Sequence, residues 1–397
     1  MRAALDDLLI LDLSRVLAGP YGTQLLADLG ARVIKVEQPG SGDETRAWGP
    51  PFAASGLSAY FLCANRNKQS ITLNLKHPEA RAALRALAAR ADVLVENFKV
   101  GTMEALGLGY DTLATDNPGL IYCAITGYGQ DGPYAGRPGY DTVIQAQGGL
   151  MSVTGPADGQ PHKVGVAVVD ITTGLYAAAS ILAALHHRAR GGGGQYIDLA
   201  LFDVQLSWLA NVASAYLVSG QPPRRHGNAH ASIVPYEPFP AADGAIMLAV
   251  GNDGQFARLC AALGHPAWAS DPRFATNPAR VAHRDQLVPL LAARTATFPV
   301  ATLEAMLLAA GVPCGPVNDI PTALAHPQAR ARGMIQTLAD SAGNSLHLVG
   351  PAPKLRATPA TIRSAPPFLG EHTATVLHEL LGYDEARIAA LRADGAI

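Results

Sequence analysis

Apolar and polar positions along the first two hundred residues alternate between two periods. Leu8–Leu13 is a short apolar run that soon meets a Gly-Pro pair, the pattern of a buried strand entering a turn. Pro20 suits the first turn of a helix, where its missing N–H is not needed. That helix is predicted to run to about Leu29 and to stop at Gly30. A strand through Val33–Val36 follows, then a helix from about Pro78 to Ala91, a strand over Val93–Val95 and another over Leu120–Ile125. Alternation at this spacing predicts an α/β fold, a Rossmann-like parallel sheet with helices on both faces. Asp170–His187 reads as a largely buried helix, Gln195–Leu201 as a strand, and the chain beyond as one long apolar helix to about Val218. The tract Gly191–Gly194 lies after a helix and before a strand, the reverse of a phosphate-loop order, and reads as a connector.

At Gly220-Gln221-Pro222-Pro223-Arg224-Arg225 the pattern breaks into Pro and basic residues, a domain boundary. Beyond it Ser232–Phe239 and Ala245–Val250 flank an Asp243-Gly244 turn, a strong hairpin signal. Helical patterns follow over 253–263, 279–294 and 299–310, so this half is expected to be a small α+β domain. After Pro366-Pro367 an amphipathic helix returns over Glu371–Leu381. The expected division is a large α/β domain over 1–195, a linker over 196–225, the small domain over 226–325, and a segment over 326–397 that returns to the large domain.

Composition narrows the function more than the fold. The 397 residues are 49% hydrophobic and 16% charged, as in a well-packed enzyme. A net charge of −2 provides no electrostatic footprint for nucleic acid or an anionic membrane, although a local positive patch can still hold a small anionic cofactor. Cys63, Cys123, Cys260 and Cys314 lie far apart with no C-x-x-C pair, which favours reduced thiols over disulfides or a metal cluster. The stretch MRAALDDLLILDLS lacks the basic region of a signal peptide, and no run approaches a membrane span of about 20 apolar residues, so a cytoplasmic protein is expected. His186 and His187 are adjacent on a predicted helix, diverge by about 100° and cannot easily share a metal. There is no G-x-S-x-G, no phosphate loop and no H-E-x-x-H. A nicotinamide oxidoreductase would need G-x-G-x-x-G after the first strand, where the chain reads Ser14-Arg15-Val16-Leu17-Ala18-Gly19-Pro20.

The motifs that remain are spread over nearly the whole chain: Val16–Pro20, Leu26–Arg46 (LADLGARVIKVEQPGSGDETR), Asn65–Lys76 (NRNKQSITLNLK), Val95–Gly101 (VENFKVG), Gly127–Asp141 (GYGQDGPYAGRPGYD), Asp170, and Gly311–Asn318 (GVPCGPVN). In this order and spacing the chain resembles the class III CoA-transferases, the family of formyl-CoA transferase and the α-methylacyl-CoA racemases. The resemblance implies that Asp170 is a covalent nucleophile; spacing alone would make it a helix N-cap, the commonest task of Asp at such a place. It implies an aspartyl–acyl anhydride and then an aspartyl–CoA thioester, in a site closed to water. A carboxylate there is expected to be held charged by the helix dipole and free N–H groups. It also implies acyl-CoA and a small carboxylic acid as substrates, no metal, and a homodimer of interlocked chains.

For coenzyme A the resemblance points to Val16, Leu17, Ala18, Gln38, Arg46, Leu73, Asn74, Lys76, Asn97, Phe98, Lys99, Tyr140 and Asp141, with Lys76 and Lys99 suited to phosphates and Leu73 and Phe98 to the adenine. Gln38 and Ala105 stand where formyl-CoA transferase has basic residues, and Lys99 and Arg46 are the candidates to compensate. Racemases of the family carry a His–Asp pair where this chain has Tyr140-Asp141; a phenol, with a pKa near 10, is a poor base for α-proton transfer, which favours transfer over racemisation or epimerisation. The glycine-run loop of formyl-CoA transferase is replaced by Arg225–Val234 (RHGNAHASIV), a pattern more like the succinyl-CoA-dependent dicarboxylate enzymes. Arg225, His230 and Ser232 are therefore either contacts for the distal carboxylate of the acid or ordinary boundary residues.

Overall fold

The computed structural model describes residues 3–397; Met1 and Arg2, the start of the N-terminal stretch, lie outside the described residues. The chain forms two compact units: one gathers the chain up to Leu150 with Val164–Val218 and Pro327–Ile397, the other Met151–Lys163 with Ser219–His326.

In the first unit β1 (Leu9–Asp12), β2 (Arg32–Glu37), β3 (Lys68–Thr72), β4 (Val93–Glu96), β5 (Ile121–Thr126) and β6 (Gln195–Ala200) make one sheet in the order β3-β2-β1-β4-β5-β6. Every pair is parallel, as the alternating pattern requires. Helices α1 (Ala18–Asp28), α2 (Pro78–Ala88), α3 (Asp141–Gln147) and α4 (Val168–Ala189) connect or cover the strands. The strand period of two sorts side chains between faces. Leu11, Leu94 and Tyr122 pack with Leu84 and Leu87 of α2 and with Val376 and Leu377 of the C-terminal helix Thr373–Leu381. Ile10, Val93 and Cys123 pack on the other face with Leu26 of α1 and Ala177 and Ile181 of α4. Strand order reverses between β1 and β4, and ligands of such sheets bind beyond the carboxyl ends of the strands at that switch point.

Three details differ from the sequence reading. Residues 196–225 are not a linker throughout: β6 pairs along its whole length with β5, and the chain continues into α5 (Leu201–Trp208) and α6 (Ala210–Ser219). These two replace the single expected helix and meet at 71°, because Ala210 takes a left-handed φ of 41° that a continuous helix cannot contain. Second, Met151–Lys163 belongs to the second unit, where the Arg225 guanidinium donates to the carbonyls of Ser152 (3.4 Å), Pro156 (3.2 Å) and Gly159 (2.7 Å). Third, α4 is long and apolar enough to cross a membrane by length and composition, contrary to the expectation that no run approaches a span. One of its faces, with Val169, Ala177, Ile181 and Ala184, is buried against the sheet, while Leu175, Tyr176 and Leu182 remain exposed.

The second unit is α+β. β7 (Tyr236–Ala241) and β8 (Gly244–Ala249) form the expected hairpin around Asp243, and β9 (Cys314–Pro316), inside the GVPCGPVN motif, adds a third antiparallel strand. β7 starts later than predicted, since Pro235 cannot donate to a ladder. Phe239, Ile246 and Leu248 pack with Phe256, Leu259, Leu287, Leu291, Leu303 and Leu307 from the helices behind.

In the first unit α1 and α4 touch backbone to backbone. A Cβ on Gly22 would lie 2.7 Å from the Gly174 carbonyl oxygen, and one on Gly174 2.6 Å from that of Ala18. Gly22→Ala is therefore expected to destabilise the protein by roughly 1–3 kcal/mol through overpacking. Urea unfolding measures this, and an unchanged midpoint would contradict the close approach.

Candidate active site

The first three strands of the sheet and the segment after β2 carry charges that water does not reach. Lys68 Nζ lies 2.8 Å from Asp12 Oδ2, and Lys35 Nζ 2.9 Å from Asp43 Oδ2, with all four side chains fully buried. Burial opposes the charge of Asp12, but Lys68 and Lys35 outweigh it and hold the carboxyl at about 2. Breaking such a pair strands an uncompensated charge and costs about 3–5 kcal/mol. The pairs close over the turn between β1 and α1: Lys35 also donates to the Ser14 carbonyl (2.9 Å) and Asp43 accepts from the Val16 N–H (3.3 Å).

At the switch point this turn borders a cavity of about 300 Å³. Its walls are Arg15–Ala18 after β1, Asn97–Val100 after β4, Ile125–Gly127 at the end of β5, the loop Ala135–Tyr140, and Asp170 in the first turn of α4. Of the residues expected from sequence, Val16, Leu17, Ala18, Asn97, Phe98, Lys99, Tyr140 and Asp170 therefore meet at one place. Lys99 is exposed, and Arg137, which sequence reasoning missed, lies 3.7 Å over the Tyr134 ring. Arg15 on the same wall is paired with Glu44 at 3.0 Å, which leaves Lys99 and Arg137 as the cations suited to an anionic ligand.

Asp170 is not the N-cap that spacing suggests. The N-cap of α4 is Ala167, with no side-chain bond, and the free helix N–H groups are taken by Asp141 of α3. Its Oδ2 accepts from the N–H groups of Val169 (2.8 Å) and Asp170 (3.3 Å), and its Oδ1 accepts from Gln145 Nε2 (2.6 Å). Asp141 is thus a buried cap and not a cofactor contact. Asp170 gains no such donors, and the expectation that the helix end holds it charged is reversed. Burial first, and the negative charge of Asp141 second, push its carboxyl up to about 7. A carboxylate formed there is poorly solvated and correspondingly basic.

Two further groups escaped the sequence reading. Burial, followed by the charge of Asp170, raises the Tyr60 phenol to about 12, so it stays a hydrogen-bond donor. Burial also raises Glu96 to about 7, and this carboxyl accepts from the Phe98 N–H at 2.7 Å and so braces the cavity wall. Tyr60 has no sequence signal of its own, and Glu96 lies within the motif Val95–Gly101, whose sequence does not show that its carboxyl is buried.

Other expected residues lie elsewhere. Leu73 is buried in the sheet core and cannot flank an adenine. Arg46 is spent on Glu37, through paired bonds of 2.8 and 2.7 Å, and stacks 3.8 Å over Phe61, so it does not stand in for a missing phosphate contact. Asn74 fastens the C-terminus, its N–H bonding the Ala396 carbonyl and its Nδ2 that of Gly395. Gln38 and Lys76 are exposed and outside this cavity. In the second unit His230 Nδ1 accepts from the Ser232 N–H (3.1 Å), while Arg225 is the loop staple described above, each of its three nitrogens bonded to a carbonyl of 152–159.

Asp170 ionises near 3.8 in an unfolded chain and near 7 here, so the folded state holds a proton that the unfolded state releases between those values. Its contribution to stability thus falls as pH rises from about 4 to about 7. Asp170→Asn is expected to leave the melting temperature unchanged near pH 4 and to raise it by a few degrees at pH 8. A lower melting temperature at pH 8 would show that the carboxylate is stabilising instead.

The family model for CoA-transferase family III matches residues 5–373. The succinate–glutarate CoA-transferase of Agrobacterium fabrum is 49% identical over 381 residues, 95% of each chain. The succinyl-CoA:glutarate CoA-transferase of Homo sapiens is 42% identical across 99% of this chain and 90% of its own. The crystal structure of a CAIB/BAIF family protein from Brucella suis superposes with a TM-score of 0.87 at 47% identity, covering 96% of this chain and all of the other. The chain is thus an enzyme that transfers coenzyme A and belongs to CoA-transferase family III.

Proposed function

We propose that this enzyme moves coenzyme A from succinyl-CoA to a small dicarboxylic acid, glutarate foremost, with Asp170 as the covalent nucleophile. The observation that carries the reading is the Asp170 carboxyl itself, facing the cavity, raised to about 7 and left without helix donors because Asp141 takes them. The names of the relatives support the substrates: glutarate in Agrobacterium fabrum and Homo sapiens, D-citramalate in Chloroflexus aurantiacus at 37% identity.

In this mechanism an Asp170 oxygen attacks the succinyl thioester carbon, and the C–S bond breaks to give a mixed anhydride and the thiolate of coenzyme A. The thiolate attacks the aspartyl carbonyl carbon, succinate leaves as a carboxylate, and the enzyme keeps coenzyme A as an aspartyl thioester. A glutarate carboxylate attacks that thioester, and the same two steps run in reverse. No net proton is taken up. A raised pKa helps, because a desolvated, more basic carboxylate is the better nucleophile. The amides that open α1, at Leu17, Ala18 and Gly19, have no side-chain cap and are suited to the oxyanions that develop. Lys99 and Arg137 are assigned to the phosphates of coenzyme A, and Phe98 and Tyr140 to apolar contact with it.

The exposed apolar side chains Leu175, Tyr176 and Leu182 of α4, Leu206 and Trp208 of α5, and Tyr216, Leu217 and Val218 of α6 are more than a monomer usually leaves in water. We assign them to a second copy of the chain in an interlocked homodimer. Light scattering is expected to give twice 41.3 kDa; a monomeric mass at micromolar concentration would remove this assignment. The four free cysteines suit a reducing compartment such as the cytoplasm.

The function is tested by incubating the enzyme with succinyl-CoA and glutarate, D-citramalate, mesaconate or oxalate and following thioesters by mass spectrometry. Glutaryl-CoA is expected with the wild type and not with Asp170→Ala. The rate should rise with pH through about 7 as Asp170 ionises, and Asp141→Asn should move that limb to lower pH by removing the neighbouring charge. If no acid accepts coenzyme A, while a 2-methylacyl-CoA exchanges its α-proton with deuterated solvent, the reading fails in favour of a racemase.

A further inference from the structure

The turn between β1 and α1 holds a backbone conformation that its sequence does not favour. Val16 has φ 68°, in the left-handed region, where a β-branched residue clashes with its own backbone. Such a residue persists only when its surroundings determine it, and here they do so group by group. The Ser14 N–H bonds Asp12 Oδ1 at 3.0 Å, and the Ser14 carbonyl accepts from Lys35 at 2.9 Å. The Arg15 N–H bonds Asn97 Oδ1 at 2.9 Å, and the Arg15 carbonyl accepts from Asn97 Nδ2 at 2.8 Å. The Val16 N–H bonds Asp43 Oδ1 at 3.3 Å. Three consecutive residues are thus gripped by side chains from β1, β2, the segment after β2 and the exit of β4.

Asn97 differs from the other members of this grip. Asp12, Lys35 and Asp43 belong to buried ion pairs that the fold needs in any case. Asn97 makes two bonds across 82 residues of sequence to the two backbone groups next to the strained residue. Its Oδ1 is occupied, and one Nδ2 hydrogen with it. Immediately downstream, the Ala18 carbonyl lies against Gly174, one turn of α4 beyond Asp170. The angle at which the chain leaves Val16 therefore sets where the first turn of α1 stands relative to Asp170.

We propose that Asn97 is a positioning residue: by holding both backbone groups of Arg15 it keeps Val16 left-handed and fixes the opening of α1 beside Asp170, instead of reading coenzyme A with its amide. This rests on the transferase reading for its kinetic consequence, but not for its structural one.

The test is a cycle of Asn97→Ala, Val16→Gly and the double variant. Glycine adopts positive φ without strain, so it makes the grip less necessary. Asn97→Ala is expected to lower kcat for CoA transfer by about tenfold or more, the scale of one strained residue, with KM for succinyl-CoA changed by less than about threefold. In the Val16→Gly background the same change should cost less than about threefold in kcat. Hydrogen exchange of the peptide spanning Ser14–Ala18 should accelerate in Asn97→Ala while the sheet strands keep their protection. Should the alanine variant not fold, Asn97→Ser, which keeps one hydrogen-bonding group, is read in the same way. A raised KM with kcat and exchange unchanged, or an equal kcat loss in both backgrounds, overturns the proposal and makes Asn97 a cofactor contact. If the wild type transfers nothing but exchange at Ser14–Ala18 responds as stated, the transferase reading fails and the positioning role stands.

Discussion

The Lys35–Asp43 ion pair, with both side chains removed from water, is the constraint on which the site depends. A buried pair adds little stability compared with apolar packing, but it tolerates only one arrangement. Here that arrangement includes the Ser14 carbonyl and the Val16 N–H, so the register of β1, β2 and the segment after β2 is transmitted into the turn that opens α1. Asp12 and Lys68 do the same between β1 and β3. The switch point of the sheet supplies a crevice, and these charges give the crevice a fixed wall.

Against that wall the chemistry is set by two carboxylates with opposite surroundings. Asp141 receives three donors and serves as the cap of α4. Asp170, in the first turn of that helix, receives none of them and carries the cost of burial next to a like charge. Unlike surroundings give the two neighbouring acids different work. Here one group holds the helix end and the other becomes a poorly solvated, basic carboxylate facing the cavity. Covalent transfer to and from a thioester needs such a group, and it also needs water kept away from the acyl intermediates.

Much of this could be read from the chain. The two periods in the first two hundred residues define the strands and helices of the sheet, since burial on both faces leaves β1, β4 and β5 mostly apolar, while β2 sets Val33, Ile34 and Val36 among charged neighbours. The motif order pointed to the loops after β1 and β4, and those loops do line the cavity. What could not be read depends on packing across long sequence separations. Arg46 looks like a phosphate ligand until Glu37 and Phe61 are seen to occupy it, and Leu73 looks like an adenine contact until the sheet buries it. Asp141 and Asp170, 29 residues apart, reveal their division only when the helix end brings them together. Tyr60 and the bend at Ala210 have no local signature, and the motif that contains Glu96 does not reveal its burial, because desolvation and a left-handed φ are properties of the folded neighbourhood.

The central claim is that Asp170 carries coenzyme A during the reaction. The most direct measurement mixes enzyme with succinyl-CoA and no acceptor acid, quenches in acid, digests at low pH and maps the adduct by mass spectrometry. A coenzyme A thioester on the peptide containing Asp170, discharged when glutarate is added before the quench, is the result this account requires. An adduct on another carboxylate such as Asp141 or Glu96, or transfer that proceeds with no adduct at any time, would contradict it.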